Sequence, residues 1–106
     1  MQTNELVAFV TDKIDDMKGR DIVTLDVRGK SSVTEFMVVC SGTSTRHAKS
    51  VAGYLAAECK KAGVQPLGIE GESSGEWVLL DLDSVVVHVM LDETRNFYQL
   101  EKLWSA

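Results

Sequence analysis

Two apolar runs, residues 77–82 and 85–90, are separated by nothing but Asp83 and Ser84. Runs of this length, rich in Val and Leu, read as strands, and so short a connection leaves an antiparallel hairpin as their arrangement. A two-residue turn at Asp83-Ser84 then fixes which side chains stand opposite each other, whereas a three-residue turn would exchange the faces, and this pair lacks the Gly usual in two-residue turns. On one face Leu82 meets Val85, Leu80 meets Val87 and Val78 meets Val89, so this wholly apolar face must pack on helices. On the other face Asp81 meets Val86, Leu79 meets His88 and Trp77 meets Met90. Left open, Trp77, Leu79 and Met90 form an apolar patch rimmed by Asp81 and His88, the arrangement of a protein-binding surface. The competing expectation is that the C-terminal segment brings Phe97, Leu100 and Trp104 over this face and hides it.

The rest of the chain supplies the elements that such a hairpin needs. Leu6, Val7, Val10, Ile14 and Met17 recur at helical spacing, with Thr3 or Asn4 as the expected N-cap and Gly19 as the stop. Residues 22–27 alternate, with Val23, Leu25 and Val27 opposite Ile22, Thr24 and Asp26, and read as a strand. Residues 35–40 are a continuous Val-rich run, expected mid-sheet and covered on both faces. Ser44 is placed to cap a second helix whose stripe is Ala48, Val51, Ala52, Leu55, Cys59 and Ala62, closed by Gly63. A short strand is expected at 67–70, and Phe97, Leu100, Leu103 and Trp104 mark a last helix over 93–104. Strand, helix, strand in this order implies a right-handed crossover and some parallel pairing. The expected fold is α/β, a mixed β-sheet of about five strands with two main helices and a short C-terminal helix.

A length of 106 residues suits one domain over 1–106, and shares of 44% apolar and 25% charged residues are those of an ordinary globular protein. The net charge of −5 argues against direct, non-specific nucleic-acid binding and favours a basic protein partner. Cys40 and Cys59 lie far apart, outside any metal-binding spacing, and are expected as reduced thiols of a cytoplasmic protein. Glu5, Asp12, Asp15 and Asp16 break up any apolar leader, and the apolar run near 85–91 is too short to span a membrane.

Chemistry has weak candidates. Ser41-Gly42-Thr43-Ser44 lies between a strand and a helix, yet has neither a dinucleotide fingerprint nor a phosphate-loop ending, so helix capping is preferred. Asp81 and Asp83 resemble a magnesium-binding carboxylate pair, but Asp83 falls in the turn and not beside Asp81 along a strand. His47 and His88 each lack a partner at a diagnostic spacing. Asp26 and Arg28 flank Val27 and are placed to pair with each other, with a neighbouring strand or with a partner.

Taken in order, Leu25-Asp26-Val27-Arg28, Ser41-Gly42-Thr43-Ser44-x-Arg46-His47, Glu70-Gly71, Trp77-x-x-x-Asp81, Val87-His88-Val89-Met90 and Arg95-x-x-Tyr98-x-Leu100-Glu101-x-Leu103-Trp104 resemble the ribosomal silencing factor family, also called Iojap-like. The resemblance spans nearly the whole chain. It departs from the family pattern at Asp83-Ser84, where Gly-Asp is usual, and at Glu35, where Asp is commoner. It implies a nucleotidyltransferase-like topology without a catalytic site, and no cofactor or metal. It also implies a translational repressor that binds large-subunit ribosomal protein fourteen, blocks joining of the small subunit when nutrients fall, and accompanies large-subunit maturation. Carried to matching positions, the contact surface comprises Trp77, Leu79, Asp81, His88, Met90, Arg95 and Tyr98. The alternative is a magnesium-dependent nucleotidyltransferase using Asp81 and Asp83. A homodimer of the free protein is a further expectation, since an open sheet face serves self-association equally well.

Overall fold

In the computed structural model, which describes residues 1–105, the chain runs α1 (Thr3–Asp16), β1 (Arg20–Asp26), β2 (Phe36–Gly42), α2 (Thr45–Lys61), β3 (Gly68–Glu70), β4 (Trp77–Asp81), β5 (Val85–Leu91), α3 (Asp92–Tyr98) and α4 (Leu100–Ser105). Ala106, the last residue of the expected domain, lies outside the described residues. The strands form one mixed sheet in the order β1-β2-β5-β4-β3.

The hairpin has the expected register: Trp77 is opposite Met90, Leu79 opposite His88 and Asp81 opposite Val86. Its turn closes through Leu82 N–H to the Val85 carbonyl at 2.9 Å, with Asp83 at φ +73°. Asp tolerates this left-handed conformation better than most residues other than glycine, and the turn is held further by the Asp83 N–H, which donates to the Asp81 carboxylate at 2.9 Å. The strand β2 is covered on both faces, as its continuous apolar run requires, and pairs in parallel with β5 and antiparallel with β1. The parallel pairing therefore joins β2 to β5; β3 goes to the far edge of the sheet, beside β4.

Both long helices lie on one face of the sheet. Leu6, Val10 and Ile14 of α1 and Ala48, Val51, Ala52, Leu55 and Cys59 of α2 pack against Val38, Cys40, Val78, Leu80, Val87 and Val89. Ile14, Leu55 and Leu80 are fully enclosed there; burying side chains of this size contributes about 1.5–3 kcal/mol each. Helix ends differ in detail from the sequence expectation. The N-cap of α1 is Gln2, not Thr3 or Asn4, and its N–H donates to the Glu5 carboxylate at 3.2 Å. The left-handed residue after α1 is Lys18 (φ +61°), while Gly19 is needed for space, because a Cβ there would strike the Ile14 side chain. Ser44 does cap α2, accepting from His47 N–H at 3.0 Å, whereas Ala62 is an exposed C-cap and not part of the buried stripe. The expected last helix is two, α3 and α4, broken at Gln99 in the left-handed region (φ +48°). Among the described residues no helix is long and apolar enough to cross a membrane.

Candidate functional site

The face of the sheet away from α1 and α2 is divided. Towards β1, Leu100 and Trp104 of α4 pack on a smaller apolar cluster of Leu25, Val27, Met37, Val39 and Met90, and Lys30 Nζ donates to the Trp104 carbonyl at 3.0 Å. Towards β3, Leu79, Asp81 and Val86 stay half-buried, with Trp77 between the two halves. The C-terminal segment thus covers Met90 while leaving Trp77 partly in solvent.

Trp77 is the centre of an aromatic group. Its ring lies 4.8 Å from that of Tyr98, centroid to centroid, and Tyr98 meets Phe97 edge-on at 5.0 Å. Phe97 is 80% exposed and Tyr98 53%. Exposure this high for large aromatics next to a half-buried Trp is unusual on a monomer's surface and marks a place where another surface can gain by covering them. Two clefts flank the indole. One, of about 390 Å³, is lined by Ser74, Glu76, Glu93, Thr94, Phe97 and Tyr98; the other, of about 230 Å³, by Glu70, Gly71 and Leu79. Gly71 has φ +86°, and a Cβ on it would strike the Trp77 carbonyl, so only glycine lets this loop lie against the start of β4.

Beneath the indole, Trp77 Nε1–H donates to Nδ1 of His88 at 3.0 Å. An indole nitrogen can only donate, so Nδ1 must be unprotonated and the neutral ring carries its proton on Nε2. That Nε2 is buried and has no partner among the described residues, an arrangement that costs about 1–3 kcal/mol. Burial lowers the imidazole pKa from 6.5 to about 4, so the ring is neutral at pH 7.

The aromatic group is held by a polar knot at the C-terminal ends of β2 and β5. Arg95 of α3 is buried and donates to Ser41 Oγ at 2.8 Å, to the Asp21 carbonyl at 2.7 Å and to the Glu101 carboxylate at 2.8 Å. It thereby ties α3, α4, β1 and β2 together within one helical turn of Phe97 and Tyr98. The Ser41 hydroxyl, and after it the Arg20 guanidinium at 2.8 Å, hold the Asp92 carboxyl below its ordinary pKa. A polar cleft of about 590 Å³ opens beside the knot, lined also by Asn96, Gln99 and Lys102.

Of the seven residues proposed from sequence, the structure brings Trp77, Leu79 and Tyr98 together at the surface, with Asp81 at the end of the same strand. His88, Met90 and Arg95 lie beneath that surface as its support. Sequence reading assigned Phe97 to the cover and missed its exposure; it also missed Ser41 and Glu101 as partners of Arg95. The other chemical candidates have local partners. His47 accepts from Thr43 N–H at 2.9 Å through Nδ1, and its Nε2 sits 2.8 Å from the Met17 carbonyl. Arg28 forms a bidentate pair with Asp26, at 2.9 and 2.6 Å, which holds the Asp26 carboxyl down to about 2. Cys40 and Cys59 are buried free thiols, and burial raises the Cys40 pKa to about 12. Among the described residues no group of three or more His, Cys, Asp or Glu is placed to hold a metal ion.

These features define a small α/β protein with helices on one sheet face and a half-open aromatic surface on the other. The family model described as "Ribosomal silencing factor during starvation" matches residues 1–106. A ribosomal silencing factor from Haemophilus influenzae is 48% identical over 94% of this chain and 98% of its own length. The mouse protein named "Mitochondrial assembly of ribosomal large subunit protein 1" is 42% identical over 81% of this chain and 39% of its own. A crystal structure of a protein from Chromobacterium violaceum, 41% identical, superposes with a TM-score of 0.96 over 98% of this chain and 87% of that one. The chain belongs to the ribosomal silencing factor family, and its role is a ribosome-associated, regulatory one.

Proposed function

We propose that this protein represses translation by docking its Trp77 surface on large-subunit ribosomal protein fourteen, so that its bulk stands where the small subunit would join. Silencing under nutrient limitation is in keeping with the family's description, and a part in large-subunit maturation with the name of the mouse relative. The observation that carries the reading is the half-open aromatic group of Trp77, Phe97 and Tyr98 on an otherwise well-packed sheet.

The surroundings suit such a partner. Glu70, Glu76 and Glu93 line the clefts beside the indole, on a chain of net charge −5. Ribosomal proteins are basic, and acidic rims speed encounter with basic surfaces while an aromatic anchor supplies most of the affinity. No covalent step is needed: a domain about 34 × 31 × 21 Å across, held on the subunit interface, excludes by volume.

The test is to mix purified protein with separated subunits and follow both co-sedimentation with the large subunit and formation of the joined ribosome. Wild type should bind and inhibit joining. Trp77→Ala and Tyr98→Ala should each lose about 2 kcal/mol of binding, roughly thirtyfold, while remaining folded. Undiminished binding by both variants would remove the surface from consideration.

A further inference from the structure

The histidine under the docking surface is better explained by what it holds than by what it stabilises. Its Nδ1 accepts the one hydrogen bond that an indole can donate, at 3.0 Å from Trp77 Nε1, and its other nitrogen is left buried without a partner. His88 is 4% exposed and stands on β5 directly between Leu79 of β4 and Val39 of β2. In that setting an apolar side chain would pack without leaving an unpaired N–H. Stability alone therefore does not call for an imidazole here.

An indole does call for one. The Trp side chain has a long lever and only part of it is enclosed; the neighbour on its open side, Tyr98, is itself more than half exposed at 53%. Packing fixes the plane of such a ring poorly, whereas a hydrogen bond at its single N–H fixes both the tilt and the end that faces outward. Trp77 lies directly across from Met90, so His88 is its diagonal neighbour across the hairpin, within reach of a long side chain.

We propose that His88 is a positioning residue for docking: it locks the Trp77 indole, before any partner arrives, in the orientation in which the ring is received. The inference rests on the docking reading above. Preorganising an anchor in this way raises affinity by removing the cost of ordering it on contact.

Three variants test it, read by thermal midpoint, by the nitrogen-15 indole N–H signal of Trp77 in nuclear magnetic resonance, and by affinity for isolated large subunits. The signal is assigned by its disappearance in Trp77→Phe. His88→Leu should move the indole signal, speed its hydrogen exchange and weaken subunit binding about tenfold, with a midpoint at or above that of wild type. His88→Asn, whose Oδ1 takes the place of Nδ1, should keep the signal and hold affinity within about threefold of wild type. Adding His88→Leu to Trp77→Phe, which has a ring but no N–H to donate, should cost no further affinity.

A His88→Leu protein with wild-type indole signal and wild-type affinity overturns the proposal. So does one that fails to fold, since the histidine would then be required for packing, and so does equal loss of affinity in His88→Leu and His88→Asn. Wild-type binding by Trp77→Ala has a different meaning: it removes the docking surface itself, and the positioning role with it.

Discussion

The two faces of the β4–β5 hairpin share one backbone and one register, yet they are finished differently. On the helix side, Val78, Leu80, Val85, Val87 and Val89 are enclosed, uniform in chemistry and interchangeable in kind. On the other side, neighbouring positions carry an indole, an imidazole, a carboxylate and aliphatic groups, and several are left half-open. A face that only has to bury itself needs volume and apolarity; a face that has to be recognised needs particular atoms at particular places. The unpaired Nε2 of His88 shows the second requirement overriding the first.

The largest expected effect separates the faces by stability. Leu80→Ala, on the helix side, should lower unfolding free energy by about 2–5 kcal/mol through the cavity it leaves, measured by urea denaturation. Leu79→Ala, one residue away and half-buried, should cost well under half as much while weakening subunit binding. Equal destabilisation by the two would erase the distinction between the faces.

Acid should reveal the outer face next. His88 has a folded pKa of about 4 against 6.5 unfolded, so below pH 6.5 the unfolded chain takes up a proton that the folded one refuses. This uptake costs nothing above pH 6.5, where both states are neutral, and grows as pH falls towards 4 into a destabilisation of about 2–3 kcal/mol. Denaturation curves at pH 7 and pH 4.5 should therefore differ less in His88→Leu than in wild type. The same slope in both would mean that the ring titrates normally in the fold.

Salt gives the smallest effect and tests the rim. If Glu70, Glu76 and Glu93 steer encounter, raising ionic strength should slow association severalfold and barely change dissociation. The triple replacement of these residues by Gln should remove that salt dependence. A salt-insensitive association rate in wild type would leave the aromatics without electrostatic help.

Much of this difference between faces was legible before any coordinates. The opposite pairs that a two-residue turn sets up could be written down from residues 77–90, and they, not the exchanged faces of a three-residue turn, are the ones observed. The diagonal contact between Trp77 and His88 follows from the same geometry, by the pairing rule for neighbours two residues apart. The break at Gln99 carried no such signal, because the apolar spacing of Phe97, Leu100 and Trp104 is that of an unbroken helix and glutamine rarely takes a left-handed conformation. The Arg95 knot was also hidden: Ser41 and Arg95 are 54 residues apart, and only the parallel pairing of β2 with β5 brings their ends together. The family resemblance read from the ordered motifs is the one that the family model supports; which residues touch the ribosome is a matter for the subunit experiments.

The central place of β5, zipped to β2 along one edge and to β4 along the other, bears on how quickly the protein can act. A strand anchored on both sides does not have to reorganise when something lands on it, so encounter and capture can be nearly the same event. A docking step on such a surface is ready at the moment of collision, limited by diffusion instead of by the protein's own rearrangement.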